Sequence, residues 1–137
     1  MESNRHIDKY ILLVDDDPDI LKLYSDYLRL NGFKTIHFDN PFTALEYLED
    51  NISNCSLVIT DYKMNGMSGT DLINKINEKQ NRNNSIKFVL VSAYLKEDFI
   101  LGKGSKNNTQ RTRIDLVLEK PITLEKLKMS VAKLLDK

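Results

Sequence analysis

Five polar residues stand at or near the ends of short apolar runs, and their types suit one kind of chemistry. Asp15 and Asp16 follow Tyr10-Ile-Leu-Leu-Val14, and Asp61 follows Leu57-Val-Ile-Thr60. Ser92 follows Lys87-Phe-Val-Leu-Val91, and Lys120 comes two positions after Leu116-Val-Leu118. Unbroken branched apolar runs of this length are the mark of strands buried on both faces. If those strand ends share one rim, three carboxylates meet a hydroxyl and an ammonium. Two like charges ~4 Å apart at an effective dielectric of ~20 cost on the order of 4 kcal/mol. Such a pocket is either partly protonated or built to hold a cation.

A hard divalent ion suits the donors. Mg²⁺ takes octahedral oxygen ligands and keeps several waters, so a few carboxylates and a backbone carbonyl are enough for it; Mn²⁺ shares the preference for oxygen. With the cation in place, a dianionic phosphoryl group can approach an anionic nucleophile. A carboxylate can attack phosphorus and hold it as an acyl phosphate. A hydroxyl and an ammonium on the facing wall, Ser92 and Lys120, would bind the other phosphoryl oxygens.

The elements that must position these groups alternate along the chain. After the first strand, Asp17 is placed to cap a helix that starts at Pro18 and turns Ile20, Leu21, Tyr24, Tyr27 and Leu28 inward. Asn31-Gly32 stops it. Thr35 to Phe38 is a short strand, and Asn40-Pro41 opens a helix carrying Leu45 and Leu48. After the Asp61 strand, Ser68 or Thr70 opens a helix with Leu72, Ile73 and Ile76 on its inner stripe. Asn81 to Ser85 is a polar turn. Lys96 to Leu101 starts a helical pattern that Gly102 and Gly104 interrupt, and 102–113 is a polar loop. Thr123 caps a final helix with Leu124, Leu127, Val131, Leu134 and Leu135 facing the core.

Strand alternating with helix five times gives an α/β fold, a parallel sheet with helices on both faces. Connections of this length favour the flavodoxin-like five-stranded order 2-1-3-4-5, in which strands one and three are neighbours. That order brings Asp15, Asp16 and Asp61 into one crevice, with Ser92 and Lys120 along its other side.

Composition narrows the alternatives. The 137 residues suit one domain, with a core over about 10–135 and a tail at 1–8. Lys+Arg and Asp+Glu are 20 each, so no bulk attraction to nucleic acid or anionic membrane is expected. Residues 1–9 lack an apolar signal core, and no run reaches membrane-spanning length. The single cysteine, Cys55, excludes an internal disulfide, suits a reducing cytosol, and is expected at a loop or strand edge. His6 and His37 offer no zinc spacing and are expected in the tail and on a surface strand. A helix N-terminus collects acids for its dipole, which accounts for Asp17 and Asp19 but leaves Asp15 and Asp16 surplus. The basic positions Lys103, Lys106, Arg111 and Arg113 suit a solvated loop.

These residues resemble the response-regulator receiver domains of two-component signalling, chemotaxis regulators among them, from about Tyr10 to Leu135. The matching pieces are Leu-Leu-Val-Asp15-Asp16, Val-Ile-Thr-Asp61 with Met64, Gly66 and Gly69 after it, Val-Ser92-Ala93, and Lys120-Pro121. The resemblance implies that Asp61 is the phosphoacceptor and that Asp15, Asp16 and the backbone carbonyl of Lys63 join it around Mg²⁺. It makes Ser92 the switch hydroxyl and Lys120 the phosphate-binding ammonium, and it implies a cis Lys120-Pro121 bond. The implied protein is a cytoplasmic switch rather than a metabolic enzyme, one that assists its own phosphorylation and dephosphorylation. Its implied partners are a sensor histidine kinase or phosphotransfer protein, a downstream protein target, and a second copy in a homodimer.

Departures from the family pattern bear on output. Asn65 stands where proline is usual, which is expected to loosen the loop after Asp61. Val117 stands where an aromatic switch residue is common, so no ring can swing inward there. Tyr94 and Lys63 flank the pocket at positions that tune phosphate lifetime, and a bulky Tyr94 implies slow hydrolysis. The helix between the fourth and fifth strands is expected to be short or shifted. The chain ends with its final helix, so a stand-alone regulator, or a piece of something longer, is expected. Two other functions compete. Asp15-x-Asp17 mimics the nucleophile motif of haloacid-dehalogenase-type phosphatases, though the chain lacks a cap domain and a clear late acidic pair. A receiver-shaped docking module that takes no phosphoryl group is the other.

Overall fold

A computed structural model describes residues 9–80, 85–93 and 112–136. The expected tail with His6, most of the polar turn, Tyr94, the helical pattern after it and the loop through Arg111 lie outside the described residues. In chain order the elements are β1 (Tyr10–Val14), α1 (Pro18–Leu30), β2 (Thr35–Phe38), α2 (Pro41–Asn51), a single 3₁₀ turn (Ile52–Asn54), β3 (Cys55–Asp61), α3 (Gly69–Lys79), β4 (Lys87–Ser92), β5 (Leu116–Glu119) and α4 (Leu124–Leu134). The strands form one five-stranded sheet in the order β2-β1-β3-β4-β5. Every pairing is parallel, as the sequence pattern predicts.

Helix starts sit on side-chain caps. Asp17 accepts from the Asp19 and Ile20 N–H groups, at 3.0 and 3.4 Å, with Pro18 at the first helical position. Asn40 accepts from Phe42 N–H at 2.7 Å, Ser68 from Asp71 N–H at 3.1 Å, and Thr123 from Lys126 N–H at 3.0 Å. Ser68, not Thr70, is thus the cap of α3. Past α1 the chain turns through Gly32 at φ +92, a conformation that glycine adopts without a Cβ clash.

Side chains alternate across the sheet and divide the core in two. Tyr10, Leu12, Val14, Val58, Phe88 and Leu90 pack on one face with α2 and α3. Ile11, Leu13, Leu57, Ile59, Val89, Val91 and Leu118 pack on the other with Leu21, Tyr24 and Leu28 of α1 and Leu127 and Val131 of α4. Fully burying one such side chain stabilises the fold by about 1.5–3 kcal/mol. Continued along β1, β3 and β5, the same alternation carries Asp15, Asp61 and Lys120 onto the α1/α4 face. Ser92 continues the Phe88–Leu90 row on the opposite face.

Cys55 departs from the sequence-based expectation. It opens the central strand β3 at 2 % exposure, and its thiol lies 3.5 Å from the Leu57 carbonyl. Burial pushes the thiol up to about 12, so it packs as a small hydrophobe and is not a reactive thiol. His37 is on β2 and exposed, as expected.

Candidate functional site

The first two acids stand just past β1, between the strand and the helix cap. Asp15 is 7 % exposed and its Oδ1 accepts the Asp17 N–H at 3.0 Å, while Asp16 faces solvent. Asp17 is occupied with capping α1, which leaves the second acid of the Asp15-x-Asp17 pattern turned to the helix. Asp61, the last residue of β3, is as buried as Asp15. One carboxylate oxygen from each of Asp15, Asp16 and Asp61 lies within 4.8 Å of the others. β1 and β3 are adjacent and in register at Val14 and Thr60, so the acids that follow meet at one rim.

Lys120 completes the charge pattern, with its Nζ 2.9 Å from Asp61 Oδ1. Its backbone N–H donates to the Ser92 carbonyl at 2.9 Å, which ties the end of β5 to the end of β4. Ser92 is 2 % exposed. The peptide between Lys120 and Pro121 is cis, as the resemblance implies.

The loop after Asp61 is held at both ends. Tyr62 N–H donates to the Val91 carbonyl at 2.9 Å, and Gly69 N–H to the Tyr62 carbonyl at 2.7 Å. A Cβ at Gly69 would run into the Asp61 carbonyl oxygen and lie 2.8 Å from Leu90 Cδ1, so only glycine fits there. Gly66 turns at φ +88 beneath the Phe42 ring. Lys63 lies in this loop with its side chain exposed.

The electrostatics are those of a pocket with too many acids. Burial, opposed by the Asp17 N–H and reinforced by the charge of Asp61, raises the Asp15 carboxyl from 3.8 to about 6. Burial alone would lower the Lys120 ammonium, but the hydrogen bond and charge of Asp61 outweigh it and hold the group above its ordinary value. One lysine does not neutralise three carboxylates. The donor set, all hard oxygens close together, fits Mg²⁺ or Mn²⁺.

A crowded acidic rim at the carboxyl ends of a doubly wound parallel sheet, closed by one lysine, defines a class of signalling receiver. Residues 11–132 match the family model of the response regulator receiver domain. The chain belongs to that family, and thereby to the response regulators of two-component systems.

The chain is similar to the chemotaxis protein CheY of Pseudomonas aeruginosa, at 28 % identity over 128 residues, 93 % of this chain and 96 % of that protein. It is 29 % identical over 121 residues to a cyclic di-GMP phosphodiesterase of Thermotoga maritima, 88 % of this chain but 29 % of that protein. It is 38 % identical over 77 residues to the chemotaxis protein CheV1 of Helicobacter pylori, 54 % of this chain and 24 % of that protein. The chain therefore spans under a third of the length of these last two relatives.

Among solved structures, the response regulator TrrA of Thermotoga maritima, in complex with Mg²⁺-BeF, superposes with a TM-score of 0.70 at 29 % identity, covering 92 % of this chain and 98 % of that one. A receiver domain from Clostridium thermocellum shares the fold, with a TM-score of 0.73 at 21 % identity over 93 % of this chain and 94 % of that one. Among the described residues, no helix is long and apolar enough to cross a membrane.

Proposed function

We propose that this chain is a phosphoacceptor switch that takes a phosphoryl group on Asp61 from a histidine kinase or phosphotransfer protein. The observation that carries the reading is the contact of Lys120 Nζ with Asp61 Oδ1 at 2.9 Å, inside the cluster formed with Asp15 and Asp16. A buried carboxylate paired with an ammonium and crowded by two further acids suits a nucleophile whose product is an anionic acyl phosphate. Asp15, Asp16, Asp61 and the Lys63 carbonyl are the groups that would hold Mg²⁺ or Mn²⁺. The ion supplies charge neutralisation where phosphoryl oxygens gather.

In the transfer, an Asp61 Oδ attacks the donor's phosphorus. The P–N bond of the phosphohistidine breaks, its electron pair returns to the imidazole, and that ring takes up a proton. The product is an acyl phosphate on Asp61. Lys120 moves its hydrogen bond from carboxylate to phosphoryl oxygen, and Ser92 offers a hydroxyl from β4. The added charge, about −1.5 to −2, biases a two-state surface read by a downstream protein or a second copy. Val117, packed against the α2/α3 core, has no ring to reorient, so output here runs through the hydroxyl and the backbone. On this reading the receiver fills the chain from about 10 to 135 and works in the cytoplasm.

Intact-mass measurement after incubation with acetyl phosphate and Mg²⁺ tests the reading. The wild type gains one phosphoryl mass, and Asp61→Asn gains none. No gain in the wild type would leave a docking module, whereas gain that survives Asp61→Asn but not Asp15→Asn would place the nucleophile at Asp15, just past β1.

A further inference from the structure

The sequence contains the dipeptide Asn-Gly twice, at Asn31-Gly32 and at Asn65-Gly66. Asparagine before glycine is prone to cyclise, because the next backbone nitrogen can reach the side-chain carbonyl and glycine has no Cβ to obstruct the approach. The fold treats the two copies differently. At the end of α1 both reacting groups are held. The Asn31 carboxamide donates to the Tyr27 carbonyl at 2.8 Å, and the Gly32 N–H donates to the Arg29 carbonyl at 3.0 Å. In the loop after Asp61, Asn65 is exposed to water. Among the described residues, neither its carboxamide nor the Gly66 N–H makes a hydrogen bond. The neighbour beside Gly66 is the Phe42 ring, itself half exposed and able to swing.

We propose that Asn65 is a site of spontaneous deamidation through a succinimide, and that Asn31 is protected from it while the chain is folded. The Gly66 nitrogen gives up its proton to hydroxide and attacks Asn65 Cγ. The bond from Cγ to the carboxamide nitrogen breaks, and that nitrogen takes a proton from water and leaves as ammonia. Water then adds to one of the two ring carbonyls. Opening at Cγ gives aspartate, and opening at the backbone carbonyl gives isoaspartate, with the main chain routed through the side chain. Either product puts a new carboxylate into the loop that follows Asp61. Isoaspartate also lengthens by one carbon a loop whose ends are pinned by the Tyr62 and Gly69 N–H bonds, at 2.9 and 2.7 Å. The chemistry needs neither metal nor phosphoryl group, so it holds whether or not Asp61 is a phosphoacceptor.

Ageing the full chain in mildly alkaline buffer tests this, with peptide mapping by mass spectrometry to follow the change from –NH₂ to –OH at each site. In the folded chain Asn65 is expected to convert about tenfold or more faster than Asn31, since two hydrogen bonds must open before Asn31 can react. In urea strong enough to unfold the chain, the two sites are expected to convert alike. Isoaspartyl methyltransferase with S-adenosylmethionine should label the aged wild type at residue 65. Asn65→Gln should lose that label, because the longer side chain would have to close a larger ring. No conversion at Asn65 in the folded chain, equal conversion at both sites in the folded chain, or a preference for Asn65 that survives in urea each overturns the proposal. Conversion at Asn65 without methyl uptake would mean direct hydrolysis and overturns the succinimide route.

Discussion

Lys120 Nζ stands 2.9 Å from Asp61 Oδ1 across two strands that are not neighbours, since β4 lies between β3 and β5. The long stem of the lysine spans β4's end to reach the acid. Lys120→Met keeps the stem and removes the charge. It is expected to cost about 1 kcal/mol or less in urea unfolding, because the lysine is partly solvated. The same change should move the Asp15 titration, followed by NMR, above about 6, since Lys120 is one of the charges lowering it.

Without a divalent ion, the stability of the fold should fall as pH rises. The Asp15 carboxyl lies at about 6 against 3.8 for an ordinary aspartate. A folded value above the unfolded one means stabilisation that is complete below about pH 4 and lost by the time pH passes 6. The difference amounts to at most about 3 kcal/mol. Thermal or urea melts in EDTA from pH 4 to 7.5 would show the decline. Asp15→Asn, still able to accept the Asp17 N–H, should flatten it and be more stable than wild type at pH 7. A wild type whose stability rises over that range contradicts the electrostatics described above.

Metal and proton compete for the same carboxylate. Mg²⁺ affinity, measured by calorimetry, is expected to be level above pH 7 and to drop about tenfold per unit well below pH 6. Mn²⁺ should follow the same curve. Asp15→Asn and Asp61→Asn should each remove most of the binding, and with it the stabilisation by Mg²⁺ at neutral pH.

Gly69→Ala places a methyl group against the Asp61 carbonyl and the Leu90 side chain. A destabilisation of about 1–3 kcal/mol is expected. Gly66→Ala meets two obstacles, the positive φ and the Phe42 ring at 2.8 Å. Phe42 is half exposed and can swing away, so Phe42→Ala should relieve the steric part of the Gly66→Ala loss and leave the backbone part. Denaturant midpoints of the single and double variants separate the two.

The caps, the strand ends and the sheet order were legible because each is written locally. Asp17-Pro18 and Asn40-Pro41 start helices by their own side chains, and the apolar runs leave no other place for Asp15, Asp61 and Lys120 than the rim. Cys55 was misplaced because a thiol carries no local signal of burial: only the pairing of Tyr10 with Cys55 across β1 and β3 puts it inside. The Asp115 carboxylate, which accepts the Phe88 N–H at 2.8 Å, was invisible for the same reason.

The contact between Gly69 and the Asp61 carbonyl makes the start of α3 and the end of β3 a single joint. With no side chain to act as a cushion, a rotation of the Asp61 peptide cannot be absorbed locally. It must tilt the helix axis, as a lever turns on its fulcrum, with an arc that grows along the exposed flank from Asp71 beside the joint to Lys79 at the far end.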